Sequence, residues 1–74
     1  MMDNRLEKIK EDLEANDLIG AIEKLDRLMA GQPVNTAFVI ERTIGNIENI
    51  LKSLTVSLKD VIYYELEAIE KGLL

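Results

Sequence analysis

The chain has 74 residues, of which 47% are hydrophobic and 31% are charged, and it contains no Cys, His or Trp. A chain of this length makes one small domain, near the lower size limit for a core that folds independently. The missing residue types exclude disulfides, Cys/His zinc sites and nucleophiles activated by histidine, so we expect no enzyme, no catalytic residues, no metal and no cofactor.

The acidic charge balance limits the partners that we expect. Fourteen acidic residues stand against nine basic ones, which gives a formal net charge of −5. Nucleic-acid phosphates and anionic membranes both repel a net negative chain. The charged start predicts no signal peptide, and no apolar run approaches the roughly 20 residues that span a bilayer. We therefore expect a cytoplasmic protein with no membrane contact, for which nucleic acid is not the primary partner.

A first helix is predicted over residues 5–15. Asn4 is its expected N-cap, and Glu7 follows three residues later as in a capping box. The apolar residues recur at spacings of three and four, which places them on one face. That face is formed by Leu6, Ile9 and Leu13.

A second helix is predicted over residues 18–30, where the apolar stripe restarts out of phase with the first. Asn16 and Asp17 form the expected turn that caps it. Gly31 supplies a left-handed position after the helix and Pro33 prevents its continuation. The first two helices are therefore expected to form a hairpin.

A third helix is predicted over residues 36–54. Asn35 is its expected N-cap, and Val34 is placed to form a hydrophobic staple with Val39. We attribute Gly45, in its interior, to a close approach between helices, because glycine otherwise weakens a helix. Its heptad stripe extends beyond the helix end: Ala37, Ile40, Ile44, Ile47, Leu51, Leu54, Leu58 and Val61.

The unbroken heptad leaves two alternatives open, a single helix over residues 36–72 or a break followed by a fourth helix over 58–71. The break is favoured because Thr55 and Val56 are β-branched. Ser57 also resembles the start of a capping box that ends at an acidic residue three positions on. After the break the stripe slips by one position, to Ile62, Leu66, Ile69 and Leu73.

More apolar side chains are present than narrow helix stripes can bury. Wide faces of a compact bundle could absorb them, but we favour a surface that faces a partner, with a second copy of the chain as the expected partner and another protein as a further one. Tyrosine suits such a surface because its ring is apolar and its hydroxyl stays hydrated. The predicted protein-interface residues are Ile19, Phe38, Val39, Tyr63 and Tyr64.

Residues 4–33 resemble one hairpin of the tetratricopeptide family. Residues 16–18 stand where that family turns, while Lys8 and Asp12 depart from its first-helix pattern. Three further positions match: Ala21, Leu25 and Pro33. The resemblance implies an antiparallel helical hairpin. The family's peptide groove needs about three stacked repeats, so one hairpin implies no such groove.

Residues 50–71 resemble the helix-turn-helix of winged-helix regulators, which implies DNA binding as an alternative function. Thr55 departs from the pattern because the family has a turn glycine there. Lys59 is the main cation of the expected recognition helix and lies beside Asp60 and Glu65, where base contacts call for Arg, Lys, Asn or Gln. The Leu66/Ile69 pair is also displaced by one position from the family pattern. The other residues that carry the resemblance are Leu54, Val56, Ser57, Val61, Gly72, Leu73 and Leu74.

The sequence thus predicts one all-α domain over residues 1–74, a small antiparallel bundle of three to four helices completed by self-association as a homodimer. The predicted function is a non-enzymatic protein–protein interaction module, a small adaptor, regulator or accessory subunit that acts through apolar helix faces. The alternative is a small DNA-binding regulator that uses residues 50–71.

Overall fold

The computed structural model of the chain describes residues 3–53 and 58–74. These residues form four helices and no strand, which confirms the predicted all-α bundle. None of the described helices has the length and apolar character needed to cross a bilayer. The helices are α1 (Asn4–Glu14), α2 (Leu18–Met29), α3 (Val34–Ser53) and α4 (Leu58–Gly72).

The helices pack around one core as a square. Each helix packs closely against its neighbours in sequence, and α1 also packs against α4, whereas no Cα atoms of the diagonal pairs α1/α3 and α2/α4 lie within 8 Å of each other. The core is made of aliphatic side chains from all four helices: Leu6, Ile9, Leu13, Leu18, Ala21, Leu25, Leu28, Ile40, Ile47, Ile50, Ile62, Leu66 and Ile69. The core therefore contains the predicted stripe of α1 and most of the slipped stripe of α4.

The chain reverses direction between α3 and α4. Arg42 Nε donates to Glu65 Oε2 at 3.1 Å, although the two residues are 23 positions apart. In one continuous helix they would be separated by about 35 Å, at a rise of roughly 1.5 Å per residue. The two-helix alternative is therefore the right one. The break signals at Thr55, Val56 and Ser57 lie outside the described residues.

The heptad prediction for α3 is only half right. Ile40 and Ile47 are buried as predicted, whereas Leu51, and Val61 in the heptad's extension, are exposed. Thr36 and Thr43 complete the buried stripe of α3. They can be buried because each hydroxyl has a hydrogen-bond acceptor. The buried residues of α3 are Thr36, Ile40, Thr43, Ile47 and Ile50.

The two buried threonines satisfy their hydroxyls differently. Thr43 Oγ1 donates to the Val39 carbonyl of its own helix at 2.9 Å. Thr36 Oγ1 donates across the bundle to the Gly72 carbonyl, also at 2.9 Å. A threonine with a bonded hydroxyl behaves as a small apolar residue. This is why an apolar pattern alone misplaces the stripe.

Two predicted N-caps are wrong, and one is confirmed. Asp3, not Asn4, caps α1: its carboxylate accepts from the Arg5 backbone N–H at 2.8 Å. The third helix begins at Val34, so Asn35 lies inside its first turn. Asp17 caps α2 as predicted and accepts from the Gly20 N–H at 3.0 Å. Small acidic residues thus cap both α1 and α2.

Three further predictions concern the end of α2, the start of α3 and the interior of α3. Gly31 has a φ of +80°, as expected for the left-handed position after α2. Val34 is 84% exposed, so the predicted staple with Val39 is absent. A Cβ added at Gly45 would meet no atom within 4 Å, so the predicted close helix approach is wrong. Gly45 faces open space.

Candidate interaction surface

The predicted interface residues divide into two classes of exposure. Ile19 and Phe38 are each 62% exposed and Tyr64 is 75% exposed. Val39 and Tyr63 are partly buried and pack against the core. Three of the five side chains therefore present most of their surface to solvent, and the other two already contribute part of theirs to the fold.

The adjacent tyrosines of α4 lie on different sides of that helix. Tyr63 lies beside Glu14 and Lys10 of α1. Burial, then the negative charges of Glu14 and Asp60, raise the pKa of the Tyr63 phenol above its usual value. Tyr64 lies instead on the side of α4 that faces α3. Both tyrosines also line one open depression with Asp60 and Glu67, but of the two only Tyr64 lines the depression between α3 and α4.

An apolar surface with a charged centre is formed where α3 and α4 lie side by side. Arg42, Val61 and Tyr64 line one open depression there. The Arg42 guanidinium carbon lies 5.9 Å from the centre of the Phe38 ring, within the range of a cation–π contact. We call this surface the α3/α4 face; it comprises Phe38, Arg42, Asn46, Val61, Tyr64 and Ala68.

Glu65 holds the centre of the α3/α4 face from beneath. Its side chain is only 7% exposed. One carboxylate oxygen accepts from Arg42 Nε at 3.1 Å and the other accepts from Asn46 Nδ2 at 2.9 Å. Because a buried carboxylate is costly unless its oxygens are bonded, these two donors are fixed in position by it. Arg42 is thereby held between the Glu65 carboxylate and the Phe38 ring.

Ile19 lies outside this face. It belongs to α2, which has no Cα atom within 8 Å of α4, and it does not line the depression between α3 and α4. The five predicted residues therefore do not converge on one site. Phe38 and Tyr64 belong to the α3/α4 face, whereas Ile19 and Tyr63 lie on other sides of the bundle.

Sequence reasoning missed the polar residues that organise the face. Glu65 falls within the apolar stripe of α4, three residues after Ile62, and a carboxylate at such a position needs a donor on the facing helix. Arg42 and Asn46 are spaced four apart, so they share one side of α3. Phe38 lies four residues before Arg42, which extends the same side. That spacing was the available signal.

The segment of the predicted helix-turn-helix contains most of α4. Its apolar residues Ile62, Leu66 and Ile69 are buried in the core. The exposed residues of α4 include the acidic Asp60 and Glu67 as well as a cation. The turn of the predicted motif, residues 54–57, lies outside the described residues.

Metal-binding chemistry finds no support in the part of the chain that is described. Over residues 3–53 and 58–74, no three acidic side chains are grouped so that they could hold a metal ion. No buried side-chain nitrogen or oxygen within those ranges lacks a hydrogen-bond partner.

Comparison of the chain with protein-family models, with curated proteins and with solved structures finds no match.

Proposed function

We propose that the chain is a non-enzymatic protein–protein interaction module and that the α3/α4 face is its docking surface. The observation that carries this proposal is the exposure of two aromatic rings, Phe38 and Tyr64, close to an arginine that is bonded to a buried carboxylate. Aromatic and arginine side chains dominate the binding energy of protein interfaces.

The fixed geometry of Arg42 favours binding. An exposed arginine ordinarily loses rotamer freedom when a partner immobilises it, at a cost of about 0.5–1.5 kcal/mol. Here Arg42 is already fixed by Glu65 and lies against Phe38. A partner that covers the two rings therefore loses little binding free energy to the ordering of Arg42, because the fold already orders this side chain.

A second copy of the chain is the first occupant that we propose. A two-fold axis through the α3/α4 face would bring the same patch of both copies together and cover both pairs of rings. The adaptor, regulator or accessory role and the cytoplasmic location are further parts of the proposal. Each of them depends on the identity of the partner.

The experiment compares the loss of both rings of the face with the loss of one exposed apolar side chain elsewhere on the bundle. Phe38→Ser/Tyr64→Ser removes the rings of the face, and Ile19→Ser removes a side chain of equal exposure to Phe38 on α2. Sedimentation is measured from about 1 to 500 μM, and affinity purification from the host organism is run in parallel. We expect the wild type and Ile19→Ser to self-associate or to capture the same protein, and the double variant to do neither.

Circular dichroism measures the helix content of each variant. We expect it to be unchanged, because exposed rings can be removed without loss of helix. The proposal fails if the wild-type chain is monomeric at 500 μM and captures nothing that the double variant loses. It also fails if Ile19→Ser weakens association as much as the double variant does, since the docking surface would then lie elsewhere.

A further inference from the structure

A basic groove lies between α1 and α2, away from the α3/α4 face. Its volume is about 380 Å³, and four cations line it together with Leu28 and Ala30. The four cations are Arg5, Lys8, Lys24 and Arg27. They are four of the nine basic residues of the chain. An acidic protein therefore concentrates nearly half of its positive charge in one groove.

Two of these cations have no carboxylate partner within the described ranges. Arg5 pairs with Asp3, and Lys24 pairs with Asp12. Arg27 makes only a long hydrogen bond, from its Nε to the Glu23 carbonyl at 3.4 Å. Lys8, like Arg27, forms no ion pair there. Their positive charges are thus available to a ligand.

The geometry points to a second docking site, in which this basic groove binds an acidic helical segment of another protein. Arg5 and Lys8 are three residues apart on α1, and Lys24 and Arg27 are three apart on α2. Carboxylates at i and i+4 on a partner helix have a similar spacing, about 5–6 Å. A short apolar side chain between them would contact Ala30 at the edge of the groove.

The charge outside the groove favours a short acidic segment over a long polyanion. The groove uses four of the nine cations, which leaves five against fourteen acidic residues. The bundle is only 32 × 22 × 19 Å, so a nucleic-acid duplex in the groove would extend over acidic surface and be repelled. A peptide helix of a few turns stays within the groove.

The test uses isothermal titration calorimetry with a capped 15-residue helical peptide that has glutamates at i, i+4 spacing and one alanine between them. We expect binding in 20 mM salt that weakens at least tenfold in 200 mM salt, because exposed ion pairs are screened. Lys8→Glu/Arg27→Glu should lose at least about tenfold in affinity. Lys52→Glu/Lys59→Glu, with the same change of net charge at the opposite end of the bundle, should bind as the wild type does.

Fold is monitored by circular dichroism. A Lys8→Gln/Arg27→Gln variant replaces the charge-reversed one if the latter unfolds, and it should lose affinity in the same direction. The inference is overturned by an absence of binding in 20 mM salt or by an equal loss in the control variant. It is also overturned if a scrambled peptide of the same composition, or a short DNA duplex, binds as tightly as the designed peptide.

Discussion

The two antiparallel helix pairs of the bundle are each joined by an ion pair, but the two pairs differ in how far water reaches them. Between α1 and α2, Lys24 binds Asp12, and a third of the Lys24 side chain is exposed. Between α3 and α4, the Glu65 carboxylate is almost fully covered while Arg42 remains mostly in solvent. In the first contact water reaches both partners, since 18% of the Asp12 side chain is also exposed. The second is a buried anion that depends on its donors.

This difference has a direct energetic consequence. Exposed ion pairs contribute about 0–1 kcal/mol, because water replaces the lost partner. A buried charge that loses its partner keeps its desolvation cost. The α3–α4 pair should therefore respond to mutation asymmetrically, according to which partner is removed, whereas the α1–α2 pair should respond weakly to the loss of either.

The largest expected effect comes from removing both donors of Glu65. Arg42→Ala/Asn46→Ala should lower the free energy of unfolding by about 3 kcal/mol, because a covered carboxylate is left without partners. Glu65→Met leaves Arg42 in water and should change it by less than about 1 kcal/mol. Lys24→Met should cost about 0.5 kcal/mol. Urea unfolding measures all three; similar losses for the first two variants would contradict the asymmetry.

A smaller effect separates the two buried threonines of α3. Thr36→Val removes the donor to the Gly72 carbonyl and should cost about 1–2 kcal/mol, since a bond between α3 and α4 is lost. Thr43→Val removes a hydroxyl bonded only within its own helix and should change stability by less than about 0.5 kcal/mol. Thermal unfolding of the two variants provides the comparison. A larger loss for Thr43→Val would mean that the link between the helices is not what stabilises α3 against α4.

Gly45 has free space beside it in the interior of α3 and offers a gain of stability. Gly45→Ala should raise the free energy of unfolding by about 0.5–1 kcal/mol, because alanine favours a helix and the added methyl meets nothing. Gly31→Ala is the matched control and should lower it, because Gly31 has a positive φ. Guanidinium unfolding distinguishes the two. Destabilisation by Gly45→Ala would show that something covers this position.

The smallest expected effect is a pH dependence where α4 meets α1. The raised pKa of Tyr63 means that the folded chain retains a proton which the unfolded chain loses near pH 10, so stability falls as the pH rises above about 10. In a Tyr64→Phe chain, Tyr63 is the only phenol. Its absorbance titration at 295 nm should have a higher midpoint in buffer than in 8 M urea. Coincident midpoints would contradict the partial burial of Tyr63 and its placement beside Glu14.

The α3/α4 face was only partly predictable, because its organising residues are polar. Phe38 and Tyr64 were identified as surplus apolar residues, and both are exposed on one face. Arg42 and Glu65 were not identified, since no local pattern in α3 or α4 indicates which residues will meet. The same is true of the basic groove, whose cations come from two helices.

The sequence alone predicted three to four helices, with the bounds of the favoured four correct to within two residues, and the buried faces of α1 and α4. These features follow from apolar periodicity and from local stop signals such as Gly31 and Pro33, which act within a few residues. Tertiary structure decided the rotation of α3 about its axis, because only the position of the Gly72 carbonyl allows Thr36 to be buried with its hydroxyl bonded. It also decided which charges meet, since a contact between residues 42 and 65 exists only once the chain has folded back on itself.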